Sequence, residues 1–282
     1  MKNKKIITVV SIAAILGGLG TTAQADTAGS ESLKTPNSNE IGVTISQYEY
    51  KEPSLGVSLK AINWGVEYFG SRRINNDWFF IGGVDYNNGK QDYSSPGSGT
   101  LGGVPTYYVN AKLAIGRDFT FDNYVLSPYV GYGYRYLQQN QAGLASSTGA
   151  IAYDRQSTYN YAPIGVIHRF QIDSKAKLVS TLEYDYLIKG SQFSGLSVLN
   201  GRAGVAGVPD VTNNQSSGYG VNFSVMYKTD TWAVGPYYKY WNINQSDSVS
   251  ATVTIGLRRF TGTVFEPANN TNEYGVKATY SF

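Results

Sequence analysis

The sequence has no cysteine and little charge. Its 282 residues include a single histidine, His168, and charged residues make up only 15 % of the chain. No disulfide can therefore form, and no segment after residue 25 shows the apolar period of a helix. Stability must come from another source. A closed β-sheet supplies it, because each backbone donor and acceptor pairs with a neighbouring strand and no edge remains.

The first 25 residues have the layout of a secretory signal peptide. Lys2, Lys4 and Lys5 precede an apolar run from residue 6 to about residue 19, and a small-residue Ala-Gln-Ala site follows at 23–25. A transmembrane helix is the alternative, but the run is shorter than the roughly 20 apolar residues that a bilayer span requires. The sequence therefore predicts export and cleavage, with a mature chain that begins at residue 26.

The mature chain is formally neutral. The leader holds three lysines and no acid, which leaves 20 basic and 20 acidic groups in the rest of the chain. The alkaline pI is then largely a property of the leader, and we expect no nucleic-acid partner. The whole sequence is rich in tyrosine (24) and glycine (32), with a mildly negative mean hydropathy. This combination is typical of strands that face lipid on one side and polar groups on the other.

Alternation of period two recurs along the chain, and the C-terminal segment shows it most clearly. A helix would mix the two sets around its circumference, whereas a strand separates them completely. One face holds Tyr274, Val276, Ala278, Tyr280 and Phe282, and the other holds Glu273, Gly275, Lys277, Thr279 and Ser281.

The connections between such strands alternate between short and long. Transmembrane barrels show this asymmetry, with short periplasmic turns and long outside loops. Four short and five outside connections predict about ten strands, with eight or twelve as alternatives, and both termini on the periplasmic side. We expect short turns near 72–76, 120–123, 172–175 and 228–230, and the outside class near 52–57, 94–104, 140–156, 191–216 and 244–270.

The predicted organisation is all-β, with one closed antiparallel transmembrane β-barrel over residues 40–282. Residues 26–39 are rich in Ser, Thr, Asn and Glu without a pattern, so they predict a short disordered periplasmic arm. The first strand loses strict phase near Tyr48, which suggests a bulge.

The apolar faces are predicted to point outward to lipid. A soluble sandwich or lipocalin-like barrel is the alternative, and it would place its apolar face inside. Glycines on the polar face argue for a crowded interior instead: Gly65, Gly83, Gly131, Gly133, Gly165, Gly220, Gly235 and Gly275.

Aromatic residues on the outer face predict two interfacial girdles. Near the short turns lie Trp78, Phe119, Phe170, Tyr227, Trp232, Tyr280 and Phe282, and nearer the long loops lie Tyr86, Tyr107, Tyr134, Tyr136, Tyr184, Tyr186, Tyr219, Tyr238 and Tyr240.

Charged residues of both signs share the predicted inner face and form the candidate site. Unpaired charges in a confined interior would cost several kcal/mol, so we expect ion-pair networks, including a direct pair between Asp85 and Lys112. Glu183 and Asp185 could bind a cation, but salt bridges to Lys112, Lys239 or Arg135 are favoured because no further ligands accompany them. The predicted lumen network comprises Glu67, Asp85, Lys112, Arg135, Glu183, Asp185, Lys239, Glu273 and Lys277.

The C-terminal pattern of Tyr274, Val276, Tyr280 and the final Phe282 resembles the last strand of bacterial outer-membrane β-barrel proteins. Together with the leader, the tyrosine-rich outer faces and the alternation of short and long connections, the resemblance covers nearly the whole mature chain. It implies a protein of the Gram-negative outer membrane, in contact with outer-membrane lipid and lipopolysaccharide, whose terminal strand is recognised by the barrel-assembly machinery. It specifies architecture more strongly than activity.

The function predicted from these patterns is non-enzymatic. A lumen lined by the network predicts a narrow porin-like channel for ions or small polar solutes, and a filled lumen predicts a structural barrel. The alternative is a surface adhesin or display barrel that binds through its outside loops. An outer-membrane hydrolase is disfavoured because His168 lies near a short turn on the lipid-facing parity. We expect a monomer without a cofactor or a metal.

Overall fold

The computed structural model describes residues 31–202 and 204–282. Within them no helix is long and apolar enough to cross a bilayer. The strands are β1 Ser38–Glu52, β2 Val57–Arg73, β3 Trp78–Ser95, β4 Gly99–Arg117, β5 Phe119–Thr120, β6 Tyr124–Gln139, β7 Arg155–Gln171, β8 Lys177–Ser194, β9 Val205–Ala206, β10 Val211–Gln215, β11 Gly218–Lys228, β12 Trp232–Ile243, β13 Ser248–Ile255, β14 Arg258–Phe265 and β15 Asn269–Ser281.

Ten of these strands close into one antiparallel ring. The order is β1, β2, β3, β4, β6, β7, β8, β11, β12 and β15, and β15 pairs back onto β1 with Ile45 opposite Val276. Strands β5 and β10 add short pairings to β6 and β8, while β9, β13 and β14 form a separate small sheet. The predicted all-β class and the ten-stranded closed barrel are confirmed.

The outer face of the ring is apolar. Ile45, Leu113 and Val130 are 60 %, 62 % and 50 % exposed, whereas inward-facing Ser127 and Glu183 are 0 % and 3 % exposed. A soluble barrel would have the opposite pattern, because in water it is favourable to bury the apolar side chains inside the barrel. The outward direction predicted for the apolar faces is therefore observed.

The polarity of the two faces reverses toward the long-loop end. Tyr48 and Tyr50 of β1 point inward and are buried, while Gln47 and Glu49 point outward. Strand β1 keeps continuous register with both neighbours through this region, so the bulge predicted near Tyr48 is wrong. The loss of phase has a different cause: beyond the lipid-facing band the wall meets water, and its apolar residues turn inward as in a soluble protein.

The irregularities in the ring lie elsewhere. Register shifts occur between Gln91 and Tyr93 in the pairing of β3 with β4, and between Asn160 and Tyr161 in the pairing of β7 with β8. Both lie toward the long-loop end, where the strands continue past the lipid-facing band. Such shifts increase local twist and re-aim side chains.

Two of the expected outside loops are largely strand. β3 and β4 continue to Ser95 and from Gly99, so most of the loop expected near 94–104 is a β-hairpin with a turn at 96–98. The connection at 244–268 contains the hairpin of β13 and β14, which pairs with β9 in the preceding long connection. Sequence turn signals marked these stretches as loops because strands outside the membrane lack the lipid-facing alternation.

The segment before β1 packs against the short-turn end of the barrel. Leu33 and Thr35 are each 1 % exposed, and the backbone N–H and hydroxyl of Thr35 donate to Asp118 at 2.8 and 2.9 Å. The prediction of a disordered arm over 26–39 is therefore wrong for residues 31–39, since Asp118 and its neighbours offer buried partners that the local composition does not reveal. Residues 1–30, which include the predicted signal peptide and the rest of that arm, lie outside the described residues.

Glycine on the inner face makes room for aromatic rings of the next strand. Gly133 is paired with Tyr161, and a Cβ on this glycine would lie 2.2 Å from the ring. Gly165 is paired with Tyr129, and its Cβ would lie 2.4 Å from that ring. Each glycine thus lets a tyrosine lie flat against the wall, and the interior is crowded as predicted.

Candidate functional site in the barrel lumen

The centre of the lumen is crossed by an ion pair between Lys112 on β4 and Glu183 on β8. The Lys112 Nζ lies 2.6 and 2.8 Å from the two carboxylate oxygens of Glu183. Tyr129 donates to the same carboxylate at 2.7 Å and Asn222 at 3.0 Å. With Glu183 only 3 % exposed, these donors replace the water that the carboxylate has lost.

Asp185 lies beside this pair without a cationic partner of its own among the described residues. Its Oδ2 accepts a hydrogen bond from the Asn222 amide at 2.7 Å, and its Oδ1 is buried without a partner there. Together with Glu183 it makes the centre of the lumen rich in acceptors. Among the described residues, however, no group of three or more His, Cys, Asp or Glu side chains is arranged to hold a metal ion.

A second pair links Asp85 to the opposite wall. Lys239 Nζ lies 3.5 Å from Asp85, and Asn110 donates to both carboxylate oxygens at 3.1 and 3.3 Å. The predicted contact between Asp85 and Lys112 does not form, because register places Asp85 opposite Asn110 and Lys112 opposite Gly83. Because the strands are offset around the barrel, Asp85 and Lys112 instead pair with residues across the lumen, Lys239 and Glu183.

Glu273 is a buried carboxylate held by hydroxyl groups. Tyr108 donates to its two oxygens at 2.7 and 2.9 Å, Tyr237 donates at 2.9 Å and Ser46 at 3.0 Å. The guanidinium of Arg135 stacks over the ring of Tyr108, 3.9 Å from its centroid. A cation on that ring and three hydroxyl donors compensate the buried charges without a direct ion pair.

All nine residues of the predicted network thus face the lumen. Lys277 pairs with Glu67 at 3.4 Å, and the others join the three groups just described. The sequence could assign the inward side of each residue, but not its partner, because partners lie several strands apart.

Aromatic side chains fill the lumen on the long-loop side of the network. The rings of Tyr159 and Trp241 stack at 5.6 Å, and Tyr161 meets Trp241 edge-on at 5.3 Å. These three side chains are no more than 5 % exposed, as are Tyr48 and Tyr108 on the facing wall. The next inward positions are amides with at most 2 % exposure: Gln91, Gln139, Gln192, Asn213 and Gln215.

A further charged cluster lies beyond the amides, where the outer wall is polar. Arg155 contacts Glu52 at 3.0 Å and also pairs with Glu266, and Tyr50 donates to both carboxylates at 2.9 Å. Burial lowers the pKa of Arg155, but Glu266, Tyr50 and Glu52 together raise it well above its ordinary value. Three consecutive layers therefore close the lumen on the long-loop side. Sequence reasoning missed them, although inward parity at Tyr48 and Tyr50 is a signal that could have found them.

The short-turn half contains a cavity of about 250 Å³. It is bounded by the central network on one side and by Thr35 and Pro36 of the N-terminal segment on the other. That segment is held by Arg73, which donates to the carbonyl of Thr35 at 2.6 Å, and by Ser71, which donates to the carbonyl of Pro36 at 2.5 Å. This half of the lumen is therefore open inside but covered at its end.

His168 faces outward close to the short-turn end. It is paired with Leu126 and its ring lies 5.5 Å from that of Tyr124. It is on the outer wall, away from every carboxylate of the lumen network. The structure therefore does not bring the chain's histidine together with the acids of the lumen network.

The four residues of the predicted assembly signal all lie on the outer face of the last strand. Tyr274, Val276, Tyr280 and Phe282 are 54 %, 48 %, 55 % and 63 % exposed.

Rings at the two girdle levels touch laterally, for example Tyr86 with Tyr107 and Tyr107 with Tyr136. A closed antiparallel barrel with an apolar outer band between aromatic rows is the architecture of transmembrane β-barrel proteins.

Solved structures with a similar fold are bacterial outer-membrane barrels. The outer membrane protease OmpT of Escherichia coli matches with a TM-score of 0.54 at 10 % identity, over 88 % of this chain and 98 % of that one. The translocator domain of the autotransporter NalP of Neisseria meningitidis gives 0.39 at 12 % identity, over 90 % and 92 %. The attachment invasion locus protein Ail of Yersinia pestis gives 0.33 at 11 % identity, over 88 % and 100 %. No protein-family profile and no curated protein sequence matches the chain. The chain has the fold of a bacterial outer-membrane β-barrel.

Proposed function

We propose that the protein is an integral outer-membrane barrel whose lumen does not conduct and whose role is structural or one of surface display. The filled lumen supports this proposal. Aromatic, amide and charged layers follow one another on the long-loop side, with Tyr48, Gln91 and Glu52 as buried members of the three layers. A solute would have to displace all three, together with the N-terminal segment at the other end. Because the lumen is filled, we favour a closed barrel over a narrow porin-like channel.

The outer face supports placement in the outer membrane after export by the predicted signal peptide. Its apolar band, its girdles and the aromatic last strand suit contact with lipid and lipopolysaccharide, and recognition by the barrel-assembly machinery. We further propose that the protein is non-enzymatic, because the single histidine faces outward at the short-turn end. A monomer remains our prediction for its assembly state.

Recordings from planar bilayers test the closed lumen. We expect the wild-type protein to give no conductance steps. A variant that lacks residues 31–37 and carries Trp241→Ala, Gln192→Ala and Arg155→Ala is the matched positive control, because it removes the cover and one buried side chain from each of the three layers. Steps from this variant alone support a closed barrel. Regular steps from the wild-type protein, altered by Lys112→Glu, would establish the channel instead.

Surface attachment is the second candidate, and the hairpin of β13 and β14 favours it. Leu257 at its tip is fully exposed, and Arg258 and Arg259 follow directly. Residues 248–265 contain no acidic residue, so the tip presents apolar and basic groups together. Bacteria that display the protein should then adhere to cultured cell monolayers. Replacing residues 248–265 by a short Gly-Ser linker should abolish adhesion, whereas replacing residues 145–151 should leave it unchanged.

A further inference from the structure

The cavity in the short-turn half of the lumen has an unbalanced charge. Five of its lining cations pair with acids: Lys112 with Glu183, Lys228 with Glu40, Lys239 with Asp85, Lys277 with Glu67, and Arg169 with Asp118. Lys177 is the exception, since no acid lies within ion-pair distance of it among the described residues. Lys177 is therefore the one lining cation that no acid contacts directly among the described residues, since Glu40 and Asp230 act on it only from a greater distance.

The surroundings of Lys177 increase this imbalance. It is directly opposite Lys228 on the neighbouring strand β11, and both side chains point into the cavity. Arg169 lines the same region. Like charges placed directly opposite each other on a sheet destabilise it. Lys177 is only partly exposed and has no acid in direct contact, which adds a further cost. An anion bound between these side chains would reduce the repulsion between Lys177 and Lys228 and would give Lys177 a direct counter-ion.

One part of the cavity wall is apolar, whereas other uncharged positions of the lining, such as Thr44, Thr181 and Asn222, are polar. Phe69 on β2, Ile81 on β3, Ile167 on β7 and Val179 on β8 line the apolar part and belong to one packed cluster in this half of the barrel. A simple inorganic anion would have no apolar surface to pack against these side chains. A ligand that carries one acidic group and an apolar body fits both parts of the surface.

The volume limits the size of such a ligand. An engineered apolar cavity of roughly 150 Å³ in another protein accommodates benzene, so by proportion about 250 Å³ accommodates roughly ten non-hydrogen atoms. Drug-sized ligands require larger pockets. The cavity is matched to a monocyclic or short-chain acid.

We propose that the short-turn half of the lumen is a binding site for a small organic anion with an apolar body, with Lys177 as its counter-ion. Thr35 and Pro36 cover the site, so the N-terminal segment must move for the ligand to enter or leave. Because the site opens toward the short-turn end, it is compatible with a lumen that is closed on the other side and independent of conductance.

Fluorine NMR of the purified protein in detergent micelles tests this proposal with 4-fluorobenzoate as the probe. The neutral 4-fluorobenzamide, of the same size and shape, is the ligand control, and protein-free micelles correct for partitioning. We expect saturable binding of the benzoate and at least tenfold weaker binding of the amide. Lys177→Gln should weaken the benzoate at least tenfold, whereas Lys175→Gln in the exposed turn should leave it unchanged.

The remaining outcomes are also decisive. Thr35→Val should accelerate exchange of the bound benzoate, because it loosens the cover without touching the counter-ion. Equal binding of benzoate by the wild-type protein and by Lys177→Gln, with both folded by gel mobility, would overturn the assignment of Lys177. No binding beyond that of empty micelles at millimolar probe would overturn the site.

Discussion

The Nζ of Lys112 lies 2.6 Å from a carboxylate oxygen of Glu183, and the two residues stand on strands separated by two others in the ring. The pair therefore ties together two parts of the wall that are not adjacent in the sheet. Breaking a buried pair leaves one charge uncompensated, and this costs more than the pair itself contributes.

Lys112→Met should accordingly destabilise the barrel by about 3–5 kcal/mol. Lys112→Met combined with Glu183→Gln should cost clearly less, because no uncompensated charge remains. Lys60→Met, at an exposed lysine paired with Glu49 at 3.3 Å, is the control and should change stability by no more than about 1 kcal/mol. Urea unfolding in micelles, followed by tryptophan fluorescence, measures all three. A double variant at least as unstable as Lys112→Met alone would contradict the pairing.

Gly133→Ala should destabilise the barrel by about 1–3 kcal/mol, because the new Cβ would displace the Tyr161 ring and disturb its contact with Trp241. Gly262→Ala in strand β14 is the matched control, since nothing lies within 4 Å of its added Cβ. The same unfolding assay compares the two. Equal midpoints would mean that the ring does not lie against Gly133.

Thr35→Val should loosen the N-terminal segment without unfolding the ring. It removes the hydroxyl donor to Asp118, a hydrogen bond to a charged acceptor worth about 1.5–3 kcal/mol. Amide exchange of residues 33–37 should accelerate by roughly tenfold or more, which corresponds to about 1.4 kcal/mol. Exchange in β1 should stay slow, and Thr120→Val, at an exposed threonine, should leave the segment protected. Unchanged exchange in Thr35→Val would refute the docked segment.

Acid should release the same segment. The hydrogen bond from Lys34 holds the pKa of Asp77 below its ordinary value. A carboxyl with a lowered folded-state pKa stabilises the folded form above its unfolded pKa, and this contribution is lost as the pH falls through the folded value. The protection factors of the Lys34 and Thr35 amides, which correct for the slower intrinsic exchange in acid, should therefore fall below about pH 4. Asp77→Asn should remove part of this pH dependence, and an unaltered profile would contradict the role of the Lys34 contact.

The sequence predicts the membrane-facing part of the barrel well and the rest less well. Alternation at Tyr274, Val276 and Tyr280 specifies both strand and direction, because lipid on one side imposes period two. Tyr48 and Tyr50 keep the alternation of β1, but there the apolar residues face inward and the polar residues face outward. This exchange of faces looks like a bulge in the sequence. Partners such as Lys112 and Glu183 depend on register around a closed ring, which no local pattern contains. The docking of Thr35 on Asp118 is hidden for the same reason.

Lipid contact along one strand tests the central claim most directly. Because the chain has no cysteine, single variants Val43→Cys, Thr44→Cys, Ile45→Cys and Ser46→Cys can each carry one spin label. In proteoliposomes, labels at 43 and 45 should collide with oxygen dissolved in lipid and be shielded from a water-soluble nickel chelate. Labels at 44 and 46, which point into the lumen, should collide much less with oxygen. Equal oxygen collision at all four positions, or the reverse alternation, would contradict a barrel that turns its apolar side chains to lipid.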